Sequence, residues 1–211
     1  VSMNLLNGFT GLFSLGQAGF MAIGAYATAI LTIPTKKLDG VYYMNGISPA
    51  IKALREAMDI APGWVQSCYP FLALIVGGLV AALFAGLIGI PILRLKSDYL
   101  AIATLGFSEI VRALIASPQL DTITNGSYGL KSIPKLGSIG VTFIVAGVCI
   151  ALIVLLIRSS YGRAFKAIRE DEIAAEAMGV NLFKHKELSF IISSFFTAVG
   201  GGLLAMFMQS I

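Results

Sequence analysis

Charged side chains are scarce in this chain, so their types and spacing carry information. Residues 167–186 read AIREDEIAAEAMGVNLFKHK, with four acids, one arginine, two lysines and the sole histidine. Glu170, Asp171, Glu172 and Glu176 have no adjacent nucleophile to serve. Their chemistry is ion pairing and capping, and a basic surface on another protein would suit them. Glu172 and Glu176 stand four residues apart. That like-charge spacing mildly opposes an isolated helix, and a partner's cation would relieve it. Glu109 and Arg112 lie three apart in an otherwise apolar stretch and so share a helix face. A charge at the bilayer centre costs at least ~2.5 kcal/mol. The two are therefore expected to pair with each other near the outer end of a span. Contact with substrate or a neighbouring span is the alternative.

Other reactive types are dispersed. His185 has no second ligand near it, so no metal site is expected. Cys68 and Cys149 are far apart in or near apolar runs and read as small buried hydrophobes. Serine, histidine and aspartate are present, but there is no G-x-S-x-G elbow. There is no Gly-Lys pair anywhere, hence no phosphate-cradling G-x-x-x-x-G-K-[ST] loop. The chain is not read as an enzyme and is expected to carry no cofactor. Nor is there a basic stripe with interleaved aromatics, so no nucleic-acid partner is expected.

The elements that must position these residues are membrane spans. The chain has 211 residues, 57% hydrophobic and 12% charged. Soluble domains have about a quarter charged residues. That much apolar surface needs a lipid bilayer, and the net charge of +4 then reflects basic cytoplasmic loops. The predicted fold is all-α and polytopic, a single transmembrane domain over 1–211 with a Gly-rich broken or re-entrant helix near the N-terminus. Spans are expected at about 1–8, 17–33, 71–93, 99–116, 139–157 and 188–211. Apolar runs reach both chain ends, so a fragment of a longer protein is expected.

The break follows from length. Val1–Thr35 is uncharged. As one helix it would extend roughly 50 Å at 1.5 Å per residue, yet the hydrocarbon core is about 30 Å thick. NGFTGLFSLGQAGFMAIGA marks the turn, with Gly8, Gly11, Gly16, Gly19 and Gly24 beside Asn7, Ser14 and Gln17. Two readings stay open here: a small-residue face for close helix packing, or a broken helix beside a transport path. Gly78, Ala82 and Gly86 form a packing stripe. Asp98 is expected to cap the span that begins at Tyr99.

Three segments link the spans. In 34–69, Ser48 and Pro49 predict a short helix to about Asp59. Residues 117–137, SPQLDTITNGSYGLKSIPKLG, read as a loop. Residues 158–187 are the charged segment. The side holding 158–187 and the RLKSD turn carries eight basic residues, and the other carries six in about twice the length. That bias places 158–187 in the cytoplasm. There, Tyr161–Ile168 is expected to continue the preceding span, and Asp171 to cap a short alanine-rich helix. Gly179 should end it, and Asn181 should cap the last helix. The face bearing Ala174 and Ala175 would let another protein's backbone approach.

GRAFKAIREDEIAAEAMGVN resembles the cytoplasmic coupling segment of ATP-binding-cassette importer permeases. That segment is named for its Glu-Ala-Ala core and following glycine, here Glu172, Ala174, Ala175 and Gly179, with Ile173 interrupting the tripeptide. The frame Ala174-Ala175-Glu176-Ala177 also fits. NLLNGFTGLFSLGQAGFMAIGAYATAIL, LRLKSDYLAIATLGFSEIVRALI and TNGSYGLKSIP extend the likeness to LivM-type permeases of branched-chain amino acid importers. Together these stretches cover over half the chain. The 34–69 loop is longer than the family's pattern.

The resemblance implies a permease subunit of a bacterial or archaeal plasma (inner) membrane. It implies a second permease and two cytoplasmic ATPase subunits that bind the ATP. A periplasmic or lipid-anchored binding protein would deliver the amino acid. The same architecture serves urea or amides, sugars and nucleosides. A different class, a proton-coupled transporter using Glu109, is the rival; a membrane-embedded enzyme using Glu109, Asp98 or His185 ranks below it.

Overall fold

The computed structural model describes residues 1–34, 63–95, 97–137 and 139–211. The short helix expected over 48–59 lies outside the described residues. Among the described residues the structure is helical, apart from one isolated β-bridge between Lys131 and Ser210. The all-α expectation is met.

Helix α1 (Ser2–Asn4) runs into a π-helical turn, Leu5–Phe9. After an irregular stretch come α2 (Gln17–Thr32), α3 (Gly63–Ile92) and α4 (Ser97–Ile115). Residues 117–137 are not plain loop. They hold two 3-10 turns, Pro118–Leu120 and Gly126–Tyr128, around the one-turn helix α5 (Asp121–Thr124). Then follow α6 (Ile139–Arg158), α7 (Ser160–Glu170), α8 (Glu172–Ala177) and α9 (Leu182–Met208).

Three helical segments are long and apolar enough to cross a membrane: Cys68–Ile92, Ile139–Arg158 and Leu182–Met208. A bent pair, Tyr99–Ile115 with Pro118–Thr124 at 58°, would make a fourth, and Gln17–Thr32 is a shorter apolar helix. Ser117 turns that bend with an extended backbone, and its side chain accepts from the Gln119 N–H. Helix α3 begins at Gly63, ahead of the span expected from residue 71, and passes through Pro70 and Pro91. Helix α4 starts at Ser97, so Asp98 stands in its first turn rather than at the cap; its side chain lies outside the described part.

Helix α9 forms the core with α2 and α3. Lipid tails are as apolar as leucine, so membrane helices associate through close packing rather than through escape from water. Gly24 shows how close: a Cβ there would lie 2.3 Å from the Ala198 carbonyl oxygen. Ala25, Ala29, Leu74, Leu203 and Met206 fill one cluster, into which Leu130, Ile133 and Leu136 of the 117–137 segment are also buried. That segment is pinned there by backbone bonds between Leu130 and Ile211, at 3.1 and 2.9 Å. Phe20 anchors a second cluster, edge-on to Phe190 at 5.5 Å. Leu5, Ile153 and Phe165 make a third, where α6 and α7 meet the π turn.

Tyr161–Ile168 does not continue the span before it. Ser159 is extended (φ −75°, ψ 179°), and its hydroxyl donates to the Leu156 carbonyl at 2.6 Å. The helix breaks at this extended residue, and α7 restarts at Ser160 as a strongly amphipathic helix. Gly162 admits the Ile157 carbonyl that any side chain would displace.

Candidate functional site

Two features sit together at one end of the bundle, the charged segment and the break between the π turn and α2. The break is held by side chains where helix bonds run out. Thr10 Oγ1 donates to the Leu5 carbonyl at 3.1 Å. The Ser14 N–H donates to Asn7 Oδ1 at 3.2 Å, and the Leu15 N–H to Thr104 Oγ1 of α4 at 3.1 Å. The Gly16 N–H donates to Ser14 Oγ at 3.4 Å. Irregular backbone at membrane depth survives only where such partners replace water. Gly11 has φ +75°, a conformation that side chains disfavour.

The predicted break residues divide into two sets. Gly8 and Gly11 are at the break itself. Gly16 faces Thr104, Gly19 faces Ser108 and Gly24 faces Ala198, all at distances that exclude a Cβ or leave it tight. Ser14 is fully buried. Gln17 is buried with its Oε1 accepting from Thr197 Oγ1 at 2.6 Å, while its Nε2 finds no partner among the described residues. Ser2 joins this polar seam through Thr197 Oγ1 at 2.8 Å and through Ser193, whose hydroxyl donates to the Ser2 carbonyl at 2.7 Å.

The charged segment has the capped form its residues prescribe. Asp171 is extended and its Oδ1 accepts from the Ile173 and Ala174 N–H groups, at 2.9 and 3.1 Å. Gly179 has φ +86°, and Asn181 Oδ1 accepts from the Lys184 N–H at 3.0 Å to open α9. Two expectations need correction. Glu172 is not left for a partner's cation: Lys186 Nζ meets its Oε2 at 2.6 Å, and Glu170 pairs with Arg169. Ala175 is not on the free face but is 4% exposed, tucked toward the bundle. Because α8 is a single capped turn and a half, burying Ala175 turns the opposite side outward. That side shows Ile173 and Ala177; Met178, at the C-cap, also stands clear of the bundle, so that Ile173 and Met178 are 82% and 85% exposed, with Ala174 and Glu176 exposed as well.

Reasoning from the sequence missed Ile173, Met178, Arg169, Lys186 and Thr104. Ile173 was visible as the interruption of the tripeptide, and Thr104, with Ser108, as one of two small hydroxyls in an apolar span. The Arg169 contact had no sequence signal. Its Nη1 donates to the Gly8 carbonyl at 2.8 Å, across 161 positions of chain.

At the same end, a cleft of about 350 Å³ runs between Gly11, Leu12, Arg94, Glu172 and Lys186. It brings Arg94 and Leu95 beside Glu172 and Lys186. Helix α9 separates this end from the 117–137 segment by roughly 40 Å at 1.5 Å per residue. Toward that other end, Arg112 Nη1 meets Glu109 Oε2 at 3.2 Å, an ion pair with side chains 78% and 62% exposed. The pair opens onto a cleft of about 410 Å³ with Ala18, Ala22, Tyr26, Ser108 and Tyr128 on its walls. His185 Nδ1 lies 2.8 Å from the Asn181 carbonyl oxygen. Among the described residues no three His, Cys, Asp or Glu side chains cluster to hold a metal ion.

Several apolar spans, a broken helix and a capped, charged turn between two spans define a multi-pass α-helical membrane protein. The family described as "Branched-chain amino acid transport system / permease component" matches residues 1–211, and the chain belongs to it. It is 33% identical over 239 residues to the high-affinity branched-chain amino acid transport system permease protein LivM of Escherichia coli (strain K12), covering 97% of this chain and 48% of that one. A probable LivM of Methanocaldococcus jannaschii is 26% identical over 224 residues, covering all of this chain and 64% of that one. The nucleoside ABC transporter permease protein NupC of Lactococcus lactis is 22% identical over 213 residues, covering 92% and 59%. The chain thus spans about half the length of the E. coli relative. No solved structure gives a significant match.

Proposed function

We propose that this chain is the membrane half of an ATP-driven importer for branched-chain or related amino acids, and that α8 is where a cytoplasmic ATPase subunit docks. The observation that carries the docking is the exposure of two large apolar side chains, Ile173 in the first turn of α8 and Met178 at its C-cap, at 82% and 85%. Apolar side chains on a polar, capped helix outside the span-length segments favour a protein pocket over water. Glu176, exposed beside them and without an ion pair among the described residues, offers a charge to a basic rim. ATP would be bound by two such partner subunits. A second permease would complete the pore, and an external binding protein would supply the solute. The 158–187 segment then faces the cytoplasm of a bacterial or archaeal plasma membrane.

The assignment of cargo leans on the names of the relatives, and NupC supports nucleosides as a second reading. Competition of uptake by leucine, isoleucine and valine against guanosine and adenosine separates the two. Docking is tested by Ile173→Asp with Met178→Asp in the full-length protein. The permease should still insert, while the co-expressed ATPase subunits no longer co-purify. Undiminished co-purification would remove α8 as the docking element.

A further inference from the structure

Two polar ties run outward from the junction of α7 and α8. Lys186 joins Glu172 to α9, which is one unbroken helix. Arg169 goes elsewhere. Its Nη1 donates to the Gly8 carbonyl at 2.8 Å while its Nε donates to Glu170 Oε1 at 3.1 Å. Gly8 lies in the last turn of the π segment, where carbonyls run out of helix donors and a cation is favoured. The stem of Arg169 lies over Gly11, where a Cβ would come within 2.9 Å of its Cγ. On the same face of α7, Phe165 packs with Leu5, and Lys166 Nζ stands 5.7 Å from the Phe9 ring centre.

We infer that Arg169 is a positioning residue that delivers movement of α8 to the backbone of the glycine break. This rests on reading 158–187 as the coupling segment. The chemistry selects Arg169 over Lys186 for this role. A continuous helix transmits a push as a rigid body. The break is held by side-chain bonds instead of a helix ladder, and such stretches change shape at the lowest free-energy cost. The planar guanidinium holds Gly8 and Glu170 at once, and a lysine, a single point donor, cannot reproduce that fork. Arg169 sits two residues before the Asp171 cap of α8, so any displacement of that cap moves it.

The test uses the full-length permease with its partner permease, ATPase subunits and binding protein in proteoliposomes. Uptake and ATP hydrolysis are measured together for Arg169→Gln and Arg169→Lys. The expected result is a fall in solute moved per ATP of about tenfold in the glutamine variant, a size typical of site-to-site coupling, with a smaller fall in the lysine variant. KM for the loaded binding protein should hold while maximal uptake drops. The ratio is read in whichever variant assembles. An unchanged ratio overturns the inference, and so does failure of both variants to assemble, the behaviour of a merely structural residue. A cysteine at Ile173 is crosslinked to the ATPase in the same membranes. A crosslink with an unchanged ratio overturns only the role of Arg169; no crosslink overturns the coupling reading beneath it.

Discussion

Ion pairs in this chain serve different purposes according to where they sit. Glu172 and Lys186 pair with the lysine only 14% exposed, and so fasten α8 to α9. Glu109 and Arg112 pair in the open. An exposed pair of this kind contributes at most ~1 kcal/mol of stability in water, so its value is to keep two charges neutral beside a cleft within a span. For an ATP-driven importer, uptake should require ATP, and its dependence on external pH should be the same in Glu109→Gln as in the parent. Uptake by ATP-depleted vesicles that loses its pH dependence in Glu109→Gln would instead make the chain a proton-coupled transporter. The Glu109–Arg112 pair was recognisable from its spacing. The partner of Glu172 was not, because fourteen positions of chain reverse direction between them.

At the scale of elements, glycine sets how closely helices approach. Helices α2 and α9 touch backbone to side chain at Gly24 and Ala198. Gly24→Leu should cost at least ~1–3 kcal/mol through overpacking, read as a lower thermal midpoint in detergent. Gly147→Leu on α6, where a Cβ meets nothing within 4 Å, should leave the midpoint in place. Equal effects would mean that the contact is not tight. The glycine spacing left packing and pathway open. The geometry gives Gly16, Gly19 and Gly24 packing neighbours and leaves Gly8 and Gly11 at the break. The interruption between α6 and α7 escaped notice because serine and glycine in an amphipathic stretch do not by themselves stop a helix. Only the extended Ser159 does so here.

Across the whole molecule, α9 sets the two ends. The charged segment, Arg94 with Leu95, and the glycine break gather at one, and the 117–137 segment is bound to residues 209–211 at the other. If the charged end is cytoplasmic, a cysteine at Lys184 should be labelled by an impermeant maleimide only in inside-out vesicles. A cysteine at the exposed Tyr128 should be labelled only in right-side-out vesicles. The reverse pattern would invert the topology and with it the docking of an ATPase at α8. Helix α6 fully buries only Ile153, and most of its apolar residues are exposed, as suits a helix facing lipid or a second subunit.

The amino-acid sequence by itself determined the membrane class, the all-α fold, the break within residues 1–35, the caps at Asp171 and Asn181 and the family. Each follows from local quantities: apolar run length, residue type at a helix end, and a contiguous motif. Tertiary structure alone decided which face of α8 looks outward and which acid Lys186 neutralises. It also brought Arg169 to Gly8. These are contacts between segments distant in sequence, set by how helices pack and where the chain reverses, and no local pattern encodes them.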